Sequence, residues 1–253
     1  MGFPGGAKGL CATVLTAVCV FSSAGLIFGF SSLYPVLYRE EVFARFCDHS
    51  GYGSGNCSSI SSSGAKCCDA QMAAFTAMST VAFFTADASM AIYGELNDRI
   101  GPRPCFAAGT SMVLAGLGMA ALSPAHWRQF YPDFVWITSF ALMGLGGPGC
   151  FLATLSFSER WDGIEPIISA TAAAAFDASA FVFFLFNSLY FEMHISFAEL
   201  CLGWLTVVAI AAVPMYIPHP PHRSWCHVAG TSYSHHAVSS PYSEPPQAPT
   251  RCT

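Results

Sequence analysis

The sequence predicts an all-α integral membrane protein of about six transmembrane helices. Charged residues make up 10% of the chain and hydrophobic residues 53%, with a mean hydropathy of +0.48. A soluble domain carries roughly 25% charged residues. The deficit runs along most of the chain, as membrane spans require and a greasy soluble core does not. Apolar stretches of about 20 residues alternate with short polar breaks, and 253 residues hold about six such spans with their loops. A net charge of -5 and a pI near 5.8 leave no basic footprint for nucleic acid.

The first apolar segment covers 9–38, after Lys8 and before Arg39-Glu40-Glu41. Ser22-Ser23-Ala24 resembles the cleavage site of a signal peptide. The apolar run nevertheless continues through Leu26, Ile27, Phe28, Phe30 and Leu33 to Leu37, which favours a retained span. Gly25 and Gly29 form a Gly-xxx-Gly pair, the pattern of close helix packing. The alternative has Gly29 leaving backbone open to a ligand while Ser31 and Ser32 supply hydroxyls. Gly6 stands where a myristoylation signal needs Ser or Thr.

Residues 39–69 form a polar loop with Cys47, Cys57, Cys67 and Cys68 and the glycosylation sequon Asn56-Cys57-Ser58. Clustered cysteines favour disulfides and an oxidising, extracytoplasmic location. Full pairing allows three connectivities. A zinc site is the weaker alternative, with His49 as the one extra ligand and no tight CxxC pair.

The second span, 71–93, contains Asp87 and ends in Gly94-Glu95-Leu96-Asn97-Asp98-Arg99-Ile100-Gly101-Pro102-Arg103. Four of these ten residues are charged. Gly94 and Gly101 permit a tight turn, Asp98 and Arg99 belong at a membrane surface, and Pro102 and Pro104 stop one helix and open the next. The third span runs about 104–122. The fourth, about 134–157, carries Gly144-Leu145-Gly146-Gly147-Pro148-Gly149. The fifth, 166–190, contains Asp177, and the sixth covers about 197–217. The chain thus divides into a transmembrane domain, 1–217, and a cytoplasmic tail, 218–253, rich in Pro, Ser and His and expected to be disordered.

The Gly94-x-x-x-Asp98-Arg99-x-Gly101 spacing resembles the cytoplasmic loop between the second and third helices of the major facilitator superfamily. Pro102-Arg103 replaces the usual basic pair. Gly29-Phe30-Ser31-Ser32-Leu33, Gly144-Leu145-Gly146-Gly147-Pro148 and Phe176-Asp177-Ala178-Ser179 add to that turn. Together they resemble the N-terminal half of the solute carrier family 43 amino-acid transporters and their protozoan relatives, over about 10–215. The resemblance implies one six-helix half of a twelve-helix fold, alternating access, and sodium-independent movement of neutral or cationic amino acids. It implies a partner as well, a C-terminal half or a second copy, without which this chain is not expected to transport. With the Asp98-Arg99 turn cytoplasmic, alternation puts both termini inside and the cysteine loop outside, in a plasma membrane. Six Lys and Arg then lie inside and four outside, a weak bias in the same direction.

Asp177 stands out, because a carboxylate in a span costs roughly 2.5–3.5 kcal/mol on insertion scales. It reads as part of a substrate pathway with Gly29, Ser31, Ser32 and Ser179, or equally as an interhelical hydrogen-bonding group. Asp87 reads as packing or gating, and Gly94, Asp98, Arg99 and Gly101 as a gating turn. The glycines of 144–149 either expose carbonyls at the Pro148 kink or let helices approach. Cys11, Cys19, Cys105, Cys150 and Cys201 read as small hydrophobes. No enzyme signature, metal site or cofactor motif is legible. The two functions left are a solute transporter, most readily of amino acids, and a non-transporting scaffold or regulator derived from one.

Overall fold

The computed structural model describes residues 6–44, 46–47, 69–126, 132–159 and 163–216. Among them the secondary structure is helical throughout, with no strands. The elements are α1 (Gly6–Ser23), a 3-10 segment (Leu26–Leu33), α2 (Tyr34–Arg39), α3 (Asp69–Ile100), α4 (Pro102–His126), α5 (Pro132–Ser158), α6 (Glu165–Ser179), α7 (Phe181–Glu192) and α8 (Phe197–Tyr216). Five helices are long and apolar enough to cross a membrane, and the bent pair Gly9–Ser23 and Leu26–Arg39 makes up to six. Large apolar side chains point outward, Phe84 at 71%, Phe134 at 69% and Ile210 at 72% exposure, as lipid-facing residues do. The chain is therefore a multi-pass membrane protein, and its described residues are built from helices alone. Asn56, Cys57, Cys67, Cys68 and the tail 218–253 lie outside the described residues.

The first span is not the single helix expected over 9–38. It bends by 45° between Ser23 and Leu26. The cause is local. The Ser22 and Ser23 hydroxyls both donate to the Cys19 carbonyl, at 3.0 and 2.8 Å, competing with the helical ladder. Past Gly25 the chain tightens into the 3-10 segment. Pro35 has no amide proton to give the Ser31 carbonyl, the bond a continuous α-helix would need there. The break leaves the Ser22 carbonyl available, and the Trp204 indole on α8 donates to it at 2.9 Å. That bond settles a polar group that hydrocarbon would leave unpaired.

The expected turn at 94–103 also needs correction. α3 continues to Ile100, so Gly94, Asp98 and Arg99 ride on its last turns. The break is confined to Gly101, in the left-handed region at φ 87, between Ile100 and Pro102. The fifth span is distorted at Ala180, whose N–H bonds to the Asp177 carbonyl at 3.3 Å rather than four residues back.

α5 is the hub of the bundle. A side chain on Gly144 would overlap the Ala82 carbonyl on α3, and one on Gly146 the Gly109 carbonyl on α4. One on Gly147 would overlap the Ala24 carbonyl at the break of the first span, and one on Gly149 the Tyr93 ring. Of the two readings of these glycines, close approach is the one the geometry carries. The hydroxyl of Ser139 on α5 also donates to the Gly116 carbonyl on α4 at 2.7 Å. The main core joins Phe30, Phe75, Met78, Phe140, Phe183 and Phe186 in one buried cluster.

At the Arg39 end, Glu41 and Phe43 hold left-handed conformations at φ 56 and 62. Buried Gln71 pins this corner, its amide donating to the Val42 carbonyl at 2.7 Å, and Cys47 Sγ lies 3.6 Å from its Oε1. α8 opens on a reciprocal cap. The Ser196 N–H donates to Glu199 Oε2 at 3.0 Å, and the Glu199 N–H to Ser196 Oγ at 3.3 Å.

Candidate functional site

The expected pathway residues fall into two groups. Gly29 and Ser179 are buried, and each serves packing. A side chain on Gly29 would overlap the Ala180 carbonyl oxygen, and one on Gly25 would overlap Ser179 Oγ and the Phe176 carbonyl. The Ser179 hydroxyl is spent on that Phe176 carbonyl at 2.6 Å. The two small-residue faces thus press the break of the first span onto the distortion of the fifth. Backbone open to a ligand at Gly29 is not what this contact provides.

Ser31 and Asp177 are exposed, and Ser32 is half-buried. In a 3-10 segment residues three apart share a face. Phe28 and Ser31 therefore point the same way, and both are exposed, while Leu26, Ile27, Gly29, Phe30 and Leu33 are buried. Phe28 is 46% exposed. Its ring stacks on Phe83 of α3, with centroids 5.6 Å apart, and packs at 5.4 Å against Phe176 of α6. Phe176 in turn packs at 4.8 Å against Phe151 of α5. Four spans thus contribute one ring each to an aromatic string, Phe83–Phe28–Phe176–Phe151.

Carboxylates flank this string. Asp177 follows Phe176 directly. Asp87 stands four residues from Phe83, on the same face of α3 and about 6 Å along its axis. Both are exposed, and neither makes a hydrogen bond or ion pair among the described residues. No Lys or Arg lies within the described spans away from their ends. The chemistry on offer is aromatic faces, the Ser31 hydroxyl and two anionic groups, with no fixed cation to neutralise them.

Sequence reasoning missed Phe28, Phe83 and Phe151, because 22 phenylalanines in an apolar chain carry no signal of which ones meet. It also missed Asn97, whose side-chain amide donates to Ser156 Oγ at 2.7 Å and ties α3 to α5 at the Gly101 end. Arg99 pairs with Glu95 on its own helix, at the exposed surface. Gly94, Asp98, Arg99 and Gly101, expected to form a gating turn, thus lie at one helix end, away from the aromatic string. Among the described residues no group of three or more His, Cys, Asp or Glu side chains is arranged to hold a metal ion.

The chain is similar to proteins of two organisms. It is 24% identical over 216 residues to Protein FMP42 of Saccharomyces cerevisiae, a match covering 83% of this chain and 40% of that protein. It is 24% identical over 213 residues to Amino acid transporter 6-1 of Toxoplasma gondii, covering 84% and 37%. It is 24% identical over 191 residues to Arginine transporter 1 of Toxoplasma gondii, covering 76% and 34%. The chain therefore spans about two fifths or less of the length of these relatives. No protein-family model matches it, and no solved structure does.

Proposed function

We propose that the chain is the substrate-bearing six-helix unit of a membrane transporter that moves amino acids by alternating access. Two of its distant relatives are named as amino-acid transporters, which supports the class. The observation that carries the reading is the exposed, unpaired pair Asp87 and Asp177 beside the aromatic string. Two carboxylates facing lipid would cost several kcal/mol on insertion scales. A face of this kind is stable when it lines an aqueous path or meets other protein.

On this reading the unit is one half of a major facilitator fold, as in the solute carrier family 43 transporters. Its open face is completed by a second set of six helices, from further sequence of the same protein or from a second copy. The Gly101 end is cytoplasmic, as are both termini, in a plasma membrane. The loop with Asn56, Cys47, Cys57, Cys67 and Cys68 is extracytoplasmic and oxidised. Asp177 and Ser31 contact substrate, and the Asp98-Arg99 region gates.

The test is uptake of labelled neutral and cationic amino acids by cells expressing the protein from its complete gene. Saturable uptake that Asp177→Ala lowers at least tenfold is the expected result. Uptake no greater than in cells without the gene would sink the transporter reading. Saturable uptake into liposomes holding the 253-residue chain as a monomer would sink the need for a second set of helices.

A further inference from the structure

We propose that α1 and α6, the halves of the first and fifth spans nearer the Gly101 end, form one mobile unit that swings away from α5 about the contact between their breaks. Both spans are interrupted at one level, the first by its 45° bend between Ser23 and Leu26 and the fifth at Ala180. There Gly25 and Gly29 lie against Ser179 and Ala180, with no room for a side chain. A hinge needs a few element-terminal residues that absorb a change in φ and ψ, and two neighbouring helices supply them side by side. A swing of this unit opens the Gly101 end from within the six helices, whereas rigid-body alternating access rocks one half against the other.

Packing decides which side of the hinge moves. Beyond the breaks, the 3-10 segment and α7 bury Leu26, Phe30, Leu33, Phe183 and Phe186 in the main core, together with Phe75 of α3 and Phe140 of α5. Tyr190 on α7 also donates to Glu40 Oε1 at 2.9 Å, and the Arg39 guanidinium lies 5.8 Å from the centre of the Phe191 ring. On the Gly101 side the shared buried cluster is small: Val20 and Ala24 of the first span with Ala172 and Ala175 of α6. An alanine brings one methyl group where a phenylalanine brings a ring, so less apolar area and less dispersion hold α1 and α6 in place. Regions with few buried apolar contacts are the first to open locally. α1 also buries Cys19 in one cluster with Cys150 of α5, apart from the main core. The Ser169 hydroxyl ties α6 to Ser158 Oγ on α5 at 2.9 Å, while Ser158 itself donates to the Leu155 carbonyl at 2.6 Å.

The motion needs neither substrate nor a second set of helices. It is therefore independent of the transporter reading and measurable on the chain alone in lipid nanodiscs. Native thiols report it. Cys19 and Cys150 lie on the seam that opens, and Cys201 lies in the main core, all three buried. Alkylation by N-ethylmaleimide is followed residue by residue by mass spectrometry. Ser169→Ala removes the tie from α6 and should speed labelling of both Cys19, on α1, and Cys150 by about two- to tenfold, the equivalent of one hydrogen bond. Cys201 should keep its rate. Tyr190→Phe removes a bond on the other side of the hinge and should leave all three rates unchanged. An unchanged rate at Cys19 in Ser169→Ala would overturn the proposal, because α6 would then move without α1. An unchanged rate at Cys150 would overturn it by leaving the seam shut. Faster labelling of Cys201 in Ser169→Ala, or of the seam thiols in Tyr190→Phe, would replace the hinge with a general loosening of the bundle.

Discussion

Gly29 lies against the carbonyl of Ala180, so the break in the first span and the distortion in the fifth meet at one point. Each irregularity has its own local cause: the serine back-bonds and Pro35 in one, the shortened bond at Ala180 in the other. The contact makes them one feature, because a side chain at either glycine of the Gly25–Gly29 pair would hold the two spans apart. The exposed ring of Phe28 is set by this contact, one residue from Gly29 and packed against Phe176 just before the distortion.

Gly29→Val should therefore destabilise the protein by about 1–3 kcal/mol, the usual cost of overpacking a tight interior. Gly94→Ala is the control. Its site has nothing within 4 Å to obstruct a methyl group, and replacing a helical glycine by alanine gains roughly 0.5–1 kcal/mol. Thermal unfolding in detergent measures both. Equal melting temperatures for Gly29→Val and the parent would show that the two breaks do not bear on one another.

Trp204→Phe should cost about 1 kcal/mol. The substitution keeps an aromatic ring against Phe21 and Phe186, 6.1 and 6.0 Å away in the parent, but removes the donor to the Ser22 carbonyl. Denaturant titration of the two proteins gives the difference. A loss below about 0.3 kcal/mol would mean that another group satisfies the carbonyl once the indole is gone.

The number of spans and their rough limits were legible because hydrocarbon demands long apolar runs and tolerates few charges. The limits at Ser158, Glu192 and Tyr216 fall within about two residues of those read from composition. The break in the first span was hidden, since Ser22, Ser23 and Gly25 are all compatible with a continuous helix. Their back-bonds are a matter of rotamer choice. The extension of α3 through Asp98 and Arg99 was hidden for a related reason. A charged stretch marks where a span meets the surface, and a helix is free to continue beyond it. For the site, Asp177, Asp87 and Ser31 were visible as polar residues in apolar runs. The aromatic string was not, because which phenylalanines converge depends on how four helices pack.

If the loop after α2 is extracytoplasmic, expression in a glycosylating cell should give a mass shift that Asn56→Gln abolishes. Impermeant thiol reagents should reach Cys47, Cys57, Cys67 and Cys68 in intact cells after reduction. Labelling that waits on permeabilisation would invert the topology and place the Gly101 end outside.

Asp98 is the residue to test for gating. It is exposed on the last turn of α3 and makes no hydrogen bond or ion pair among the described residues. Its neighbour Arg99 is already paired with Glu95 on the same helix, an exposed i,i+4 pair worth only a few tenths of a kcal/mol. That pair leaves Arg99 easily redirected and Asp98 free to take donors from another helix. The dipole of a helix N-terminus favours such an anion by about 0.3–1 kcal/mol at an exposed site. In alternating access, contacts that close one end of the path are the ones that open the other. Asp98→Asn removes the charge and keeps the shape, so it should weaken the state closed at the Gly101 end without changing which amino acid is chosen. The measurement is the labelling rate of single cysteines introduced beside the Gly101 break, in the protein expressed from its complete gene. Expected is a several-fold faster rate in Asp98→Asn with unchanged relative uptake of arginine and leucine. An unchanged labelling rate would sink the gating role, and a changed arginine-to-leucine ratio would move Asp98 into the substrate site instead.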